Sequence, residues 1–296
     1  MLSCTDPFLS THGAFPCGKC PACLSTRRRT WAHRIMLETR INPNRSTFLT
    51  LTYAEEKCPR TSEGFGTLEL KHLQDFWKRL RKNTGLKLRY FAVGEYGELS
   101  VRPHYHAALW GLAPCAGSPI IKLPNKGGLQ CRCTTCSVVR TSWGFGHVMV
   151  GSLTEKSAMY IAGYVVKKMT NSQDPRLNGR APEFSRMSLK PGIGANAMQE
   201  AASTLRQYSL PVPSGFRHER KILPLGRYLR RRLATLISDG TPEGIQKALN
   251  TEIPLRANFA AVRTLRQYAW ANELHPKEVL KTIIPEIQPA RKKETL

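Results

Sequence analysis

Two spacings of apolar positions divide the first 170 residues. "STFLTLTY" (Ser46–Tyr53) is rich in Thr and in aromatic and leucine side chains, with little helix-forming character, and reads as a strand. "LRYFAVGE" (Leu88–Glu95) and "PHYHAALWG" (Pro103–Gly111) read as two more strands, joined by "YGELSVR" in a hairpin turning around Leu99–Ser100. "GHVMVGS" (Gly146–Ser152) reads as a fourth. Helical spacing appears in "CLSTRRRTWAHRIMLETRI" (Cys23–Ile41), with Trp31, Ile35 and Ile41 facing inward. It recurs in "LELKHLQDFWKRLRKN" (Leu68–Asn83) at Leu70, Leu73, Phe76, Trp77 and Leu80, and in "TEKSAMYIAGYVVKKM" (Thr154–Met169), where Ser152 and Glu155 stand in capping-box spacing. This order predicts an α+β fold, an antiparallel sheet with helices packed on one face.

Beyond Met169 the pattern loosens. "NSQDPRLNGRAPEF" and "LKPGIGANAM" read as loops. "GRYLRRRLATLI" (Gly226–Ile237) and "LRANFAAVRTLRQYAWANEL" (Leu255–Leu274) read as helices, making a mainly helical C-terminal region. The expected organisation is a cysteine-rich segment at 1–23, a domain at 24–170 with a cysteine-rich insertion at 115–140, and a basic region at 171–296.

Charge narrows the class of partner. The 296 residues carry 45 Lys plus Arg against 21 Asp plus Glu, a net +24, and 41% are hydrophobic, enough for a real core. The excess is spread over both halves, +14 in residues 1–170 and +10 in 171–296. A polyanion is the expected partner, nucleic acid before a membrane surface. No apolar run reaches the length of a membrane span and no secretory signal is visible at the start, so a membrane partner is not expected.

The candidate chemistry lies on one strand and one helix. His104 and His106 are two residues apart, so on a strand both project to one face while Tyr105 points to the other. They read as half of a metal site or as polar residues on a solvated face. Glu95, across the hairpin from His104, is the expected third ligand, with Glu98 as runner-up. A His/His/Glu set suits Mg²⁺ or Mn²⁺. Tyr160 and Tyr164 are four residues apart and share a helix face, with Lys168 one turn further along and Lys167 beside it. Aromatics so spaced often belong to a core, but the lysines argue against a fully apolar face. Together these pieces describe phosphodiester transfer through a phosphotyrosine.

The nine cysteines are clustered, as expected of metal-binding thiolates in a reducing compartment. Cys17, Cys20 and Cys23 form one triplet, Cys131, Cys133 and Cys136 another. Each lacks one ligand for tetrahedral zinc; Cys4 or His12 can complete the first and Cys115 the second, or the triplets can pool in one site or stay free. Arg27, Arg28 and Arg29, with Lys78, Arg79 and Lys82, are candidate DNA contacts, though solvated charge is the default for each alone.

The chain resembles the replication initiation proteins of the microviruses, small phages with circular single-stranded DNA, and most closely their gokushovirus branch. "CGKCPACLSTRRRTWAHR", "FLTLTY", "GEYGELSVRPHYHAALWG", "YIAGYVVKK" and "EFSRMSLKPGIG" carry the resemblance, in the family's order, over roughly residues 17–195. Tyr105 departs slightly, since a bulky aliphatic or Phe is as common between the histidines. The resemblance implies a His-hydrophobic-His (HUH) endonuclease fold with an RRM-like core, His104 and His106 as metal ligands, and Tyr160 and Tyr164 as alternating nucleophiles. It further implies single-stranded origin DNA as substrate, a host helicase and polymerase as partners, and action in the bacterial cytoplasm. Two rivals are a non-catalytic zinc-containing nucleic-acid-binding protein and a plasmid-type relaxase.

Overall fold

The computed structural model describes residues 4–10, 13–97, 101–117, 120–122, 129–166, 171–218 and 221–250. Within them the chain runs β1 (Phe8–Ser10), β2 (Gly13–Phe15), α1 (Pro21–Arg40), β3 (Ser46–Tyr53), α2 (Leu70–Thr84), β4 (Arg89–Tyr96), β5 (Pro103–Trp110), β6 (Ile120–Lys122), β7 (Leu129–Cys131), α3 (Thr134–Trp143), β8 (Gly146–Ser152) and α4 (Glu155–Tyr164). It continues through β9 (Phe184–Met187), α5 (Ala197–Gln207), β10 (Gly215–His218), β11 (Lys221–Pro224), α6 (Gly226–Ile237) and α7 (Pro242–Asn250). The fold is α+β. Its centre is a five-stranded sheet in the order β8-β3-β5-β4-β9, antiparallel throughout.

The period-two pattern of the strands sorts side chains onto two faces. Leu49, Leu51 and Tyr53 of β3, Tyr105, Ala107 and Leu109 of β5, and Ala92 and Tyr96 of β4 share one core with α2 and α3. There α2 inserts Leu73, Phe76, Trp77 and Leu80, all buried, and ends at Gly85, whose φ of 65° forms the left-handed cap. Burying each such side chain is worth about 1.5–3 kcal/mol. On the opposite face Phe91, Val93, Ala108 and Trp110 pack against Ile35 of α1 and Ala158 and Ile161 of α4. The expectation of helices on one face therefore fails. Both faces of the central strands are apolar enough to need a cover.

α1 is covered a second time. Its Leu37 packs into a further core with Met198 and Leu205 of α5 and Leu229 and Leu233 of α6. Glu38, fully buried in α1, pairs with Arg89 of β4 at 2.6 Å and accepts the Gly194 backbone N–H at 2.7 Å, tying helix, sheet and C-terminal layer together. Ile41, expected inward, caps α1 and is 36% exposed.

Other expectations shift in detail. The capping box of α4 is Thr154 with Ser157, not Ser152 with Glu155, because Ser152 still belongs to β8. α4 stops at Tyr164 rather than Met169, with residues 167–170 outside the described residues. The insertion holds a small hairpin (β6 with β7) and a helix, α3, that its β-branched sequence did not announce. "LKPGIGANAM", read as a loop, ends inside α5, and β10 with β11 add an unexpected hairpin. The helix at 226–237 is present as α6, whereas 255–274 lies outside the described residues.

Candidate active site and cysteine tetrads

The hairpin register sets the site. Glu95 stands directly opposite His104, and Val93 opposite His106. All four face α1 and α4, since Tyr105 is fully buried in the opposite core. The carboxylate of Glu95, itself buried, reaches past its cross-strand partner to His106, with Oε1 2.9 Å from Nε2. Burial holds the His104 imidazole below its ordinary pKa, and nearby His106 adds to this. The His104 ring thereby keeps a free lone pair to lower pH.

β3 supplies what sequence reasoning missed. Thr50 pairs with His106 and Thr52 with His104, and each hydroxyl lies on the Nδ1 of its partner, at 3.0 Å and 3.2 Å. A hydroxyl can donate or accept. It can therefore accept a hydrogen bond from Nδ1–H when Nε2 is needed as a lone pair. Alternation in "FLTLTY" is the signal that could have found them: Leu49, Leu51 and Tyr53 face the core, so the threonines must face the histidines.

α4 brings both tyrosines onto the same imidazole. The Tyr160 hydroxyl is 3.4 Å from His106 Nε2, and the Tyr164 ring stacks on His106 at 5.7 Å and 14°. Phe48 stacks on His106 as well, at 5.9 Å, and meets Tyr160 edge-on. The two phenols are not equivalent. Tyr160 is 45% exposed, while Tyr164 is half-buried. Burial pushes the Tyr164 phenol well above its usual range, reinforced by hydrogen bonds with Tyr160 and Glu95.

The donor set of His104, His106 and Glu95 fits a divalent cation in chemistry: two imidazoles and a carboxylate on one partly buried face. Among the described residues, however, only the two cysteine groups below bring three or more ligand atoms close enough together to share one ion. A cation would replace the direct bond between His106 and Glu95. Lys167 and Lys168 lie outside the described residues.

The basic residues divide. Arg27 is exposed, Arg28 donates to the Met159 carbonyl of α4, and Arg29 to the Ile222 carbonyl of β11. Lys78 and Lys82 are exposed on α2, across the sheet from the tyrosines, and Lys78 pairs with Asp75 at 3.6 Å. Arg79 turns inward to the Ser142 and Trp143 carbonyls at the end of α3, which removes it from the free cations.

The cysteines assemble into two tetrads, Cys4/Cys17/Cys20/Cys23 and Cys115/Cys131/Cys133/Cys136. Cys4, not His12, completes the first; His12 lies outside the described residues. Tetrahedral zinc with Zn–S of about 2.3 Å demands S···S edges of about 3.8 Å. The Sγ atoms of Cys17 and Cys23 are 4.0 Å apart, Cys20 and Cys4 3.8 Å, Cys115 and Cys131 3.5 Å, and Cys133 and Cys115 3.9 Å. Backbone N–H groups point at the sulfurs: Lys19 and Cys20 at Cys17, Cys136 at Cys133. Each tetrad sits at a helix N-terminus, α1 or α3, where the dipole favours thiolate. A backbone hydrogen bond with Thr5 brings the Cys20 thiol down to about 5. Burial alone would raise Cys133, yet backbone hydrogen bonds with Cys136 and Ala116 hold it at about 6. Both tetrads can bind zinc, and they account for all the cysteines but Cys58.

Comparisons with known proteins agree with this core. Residues 46–169, from β3 through α4, match a family model for replication-associated proteins of the ORF2 type. The chain is 33% identical over 193 residues to replication-associated protein ORF2 of Spiroplasma virus 4, covering 64% of this chain and 58% of that one. It is 29% identical over 232 residues to replication-associated protein ORF4 of Chlamydia phage 1, covering 76% and 54%. It is 33% identical over 164 residues to replication-associated protein VP4 of Bdellovibrio phage phiMH2K, covering 54% and 50%. The chain thus spans about half the length of these relatives. No solved structure matches it. The chain is similar to the replication-associated proteins of these viruses, and its segment 46–169 is the part that carries the family match.

Proposed function

We propose that this protein initiates rolling-circle replication by nicking and rejoining single-stranded origin DNA through a 5′-phosphotyrosine, with Tyr160 and Tyr164 as the two nucleophiles. One observation carries the reading: both tyrosine rings converge on His106, which is itself bonded to Glu95. A lone core aromatic pair would have no reason to meet a buried imidazole–carboxylate pair beside a second histidine.

His104, His106 and Glu95 would hold Mg²⁺ or Mn²⁺, which supplies Lewis-acid polarisation of the scissile phosphate. Thr50 and Thr52 bind the imidazoles at Nδ1, which would leave each Nε2 for the cation. The Tyr160 oxygen attacks phosphorus in line and the bond to the 3′ oxygen breaks. The phenol gives up one proton and the departing 3′ oxygen takes one up, so the exchange is neutral in protons. The ester keeps the energy of the phosphodiester, and a later 3′-OH can displace the tyrosine without a nucleotide cofactor. Tyr164, about 6 Å along the helix axis, is placed to cut the regenerated origin while Tyr160 is still esterified. The excess of positive charge and the exposed Arg27 favour a phosphate backbone as the ligand. Lys167 and Lys168, three and four residues beyond Tyr164 in the sequence, would extend the reading as charge-neutralising groups. A host helicase and polymerase would use the freed 3′-OH, in the bacterial cytoplasm.

The test is a covalent one. Tiled, 3′-end-labelled single strands covering both strands of the whole genome that encodes the chain are incubated with protein and Mn²⁺, then denatured. A labelled adduct mapping to Tyr160 or Tyr164 is expected, lost with EDTA and lost in the double Phe variant. Tight, salt-sensitive binding with no adduct on any strand would leave the non-catalytic zinc-protein reading instead.

A further inference from the structure

The run Arg27–Arg29 looks like one basic patch in sequence, but Arg28 leaves it for the tyrosine helix. Its Nε donates to the Met159 carbonyl at 3.2 Å. Its guanidinium also lies along Gly163: a Cβ built there would meet Nε at 3.5 Å, Cζ at 3.6 Å and Nη2 at 3.7 Å. Met159 precedes Tyr160 and Gly163 precedes Tyr164. The arginine therefore spans the turn that links the two tyrosines.

That turn needs support. α4 has only 10 residues, short for a helix in water, and Tyr164 is its last helical residue. No basic residue of α4 stands in its last turn to offset the helix dipole, and Gly163 is a poor helix former. Arg28 brings a positive charge alongside this part of α4 from α1. α1 in turn is fixed at its first turn by the tetrad, because Cys20 caps it and Cys23 lies within it, five residues before Arg28.

We propose that Arg28 is a positioning residue for the second nucleophile: anchored through the first cysteine tetrad and α1, it closes the terminal turn of α4 and keeps Tyr164 stacked on His106. This rests on reading Tyr160 and Tyr164 as nucleophiles. Tyr160 lies a full turn earlier and is also packed edge-on to Phe48, so it depends less on the last turn.

The full chain is compared with its Arg28→Gln, Arg28→Lys, Gly163→Ala and Gly163→Leu variants, using whichever tiled single strand gives an adduct with the unaltered protein in Mn²⁺. Strand affinity against salt, the rate of first cleavage and the rate of joining are measured. Amide exchange of residues 161–165 is followed separately. Arg28→Gln should keep its affinity and most of its first cleavage, yet slow joining by about tenfold, the factor that corresponds to about 1.4 kcal/mol. Exchange at 161–165 should speed up with it. Arg28→Lys should recover part of the loss. Gly163→Ala adds an ordinary contact and should behave as the unaltered protein, whereas Gly163→Leu, whose side chain runs into the guanidinium, should copy Arg28→Gln. Equal joining and equal exchange in Arg28→Gln overturn the proposal. So does a parallel fall in affinity, cleavage and joining, which would make Arg28 a phosphate contact or a general stabiliser. If the unaltered protein forms no adduct, the nucleophile reading fails first, and the exchange arm still decides whether Arg28 holds the turn.

Discussion

Replacing Thr50 or Thr52 by valine removes one hydroxyl and little volume, so it isolates the bond each makes to a histidine Nδ1. His106 is 8% exposed and cannot readily exchange Thr50 for water. An imidazole nitrogen left without a partner in such a place costs about 1–3 kcal/mol. Part of that cost falls on orientation, because the ring then loses one of the contacts that fix it and keeps only Glu95 at Nε2 and the Phe48 and Tyr164 rings beside it. Losing a partner of this kind typically weakens metal affinity or activity by about 10–100-fold. The midpoint for Mn²⁺, read from the EPR signal of free Mn²⁺ and from single-turnover adduct formation, should rise within that range for Thr50→Val. It should rise less for Thr52→Val, whose histidine is half-exposed and whose bond is longer. The internal control is Thr47→Val on the same strand. Thr47 is fully buried but donates to the Leu112 carbonyl, on the other side of the sheet from the histidines. It should lower stability by about 1 kcal/mol and leave the Mn²⁺ midpoint alone. Equal midpoints in all three variants would show that the threonines only fill space and that no cation sits on His104 and His106.

Elemental analysis of protein purified under reducing conditions should find two zinc ions per chain, one for each tetrad, and Cys20→Ser or Cys133→Ser should each remove one. Zinc binding displaces the thiol protons, so acidification should release both ions; a zinc content that stays unchanged as the pH is lowered would refute the thiolate sites. Glu38→Gln should lower unfolding free energy by about 3–5 kcal/mol, because it leaves Arg89 beside an uncharged partner in a buried setting; a midpoint unchanged in urea would contradict the fold's central tie. Tyr160→Phe should slow first cleavage more than Tyr164→Phe does, since the exposed phenol meets a strand first, and both should fail at joining; a Tyr164→Phe variant that completes circles would reduce the pair to one nucleophile.

The site was legible where chemistry follows a short period. Two histidines with one residue between them share a strand face under any register, and two tyrosines four apart share a helix face. The hairpin then placed Glu95 against His104, as the symmetry of the two strands required. What escaped depends on contacts between distant elements. Thr50 and Thr52 were ordinary strand residues until β5 paired with β3. α3 has β-branched and Cys-rich sequence with little helical preference of its own; Cys133 caps it and Cys136 lies in its first turns, so the tetrad places it as much as its apolar Val139 and Trp143 do. The second cover of the sheet escaped for a related reason. α1 buries Ile35 toward the strands and Leu37 toward α5 and α6, two contacts pointing different ways from one basic helix. A helix enclosed on two sides leaves a weak one-sided pattern, and that weakness is what its position demands. The same position makes it the element joining the first tetrad to α4, so a helix whose sequence suggested one inward stripe and a basic outer face lies between a cysteine cluster and the two tyrosines.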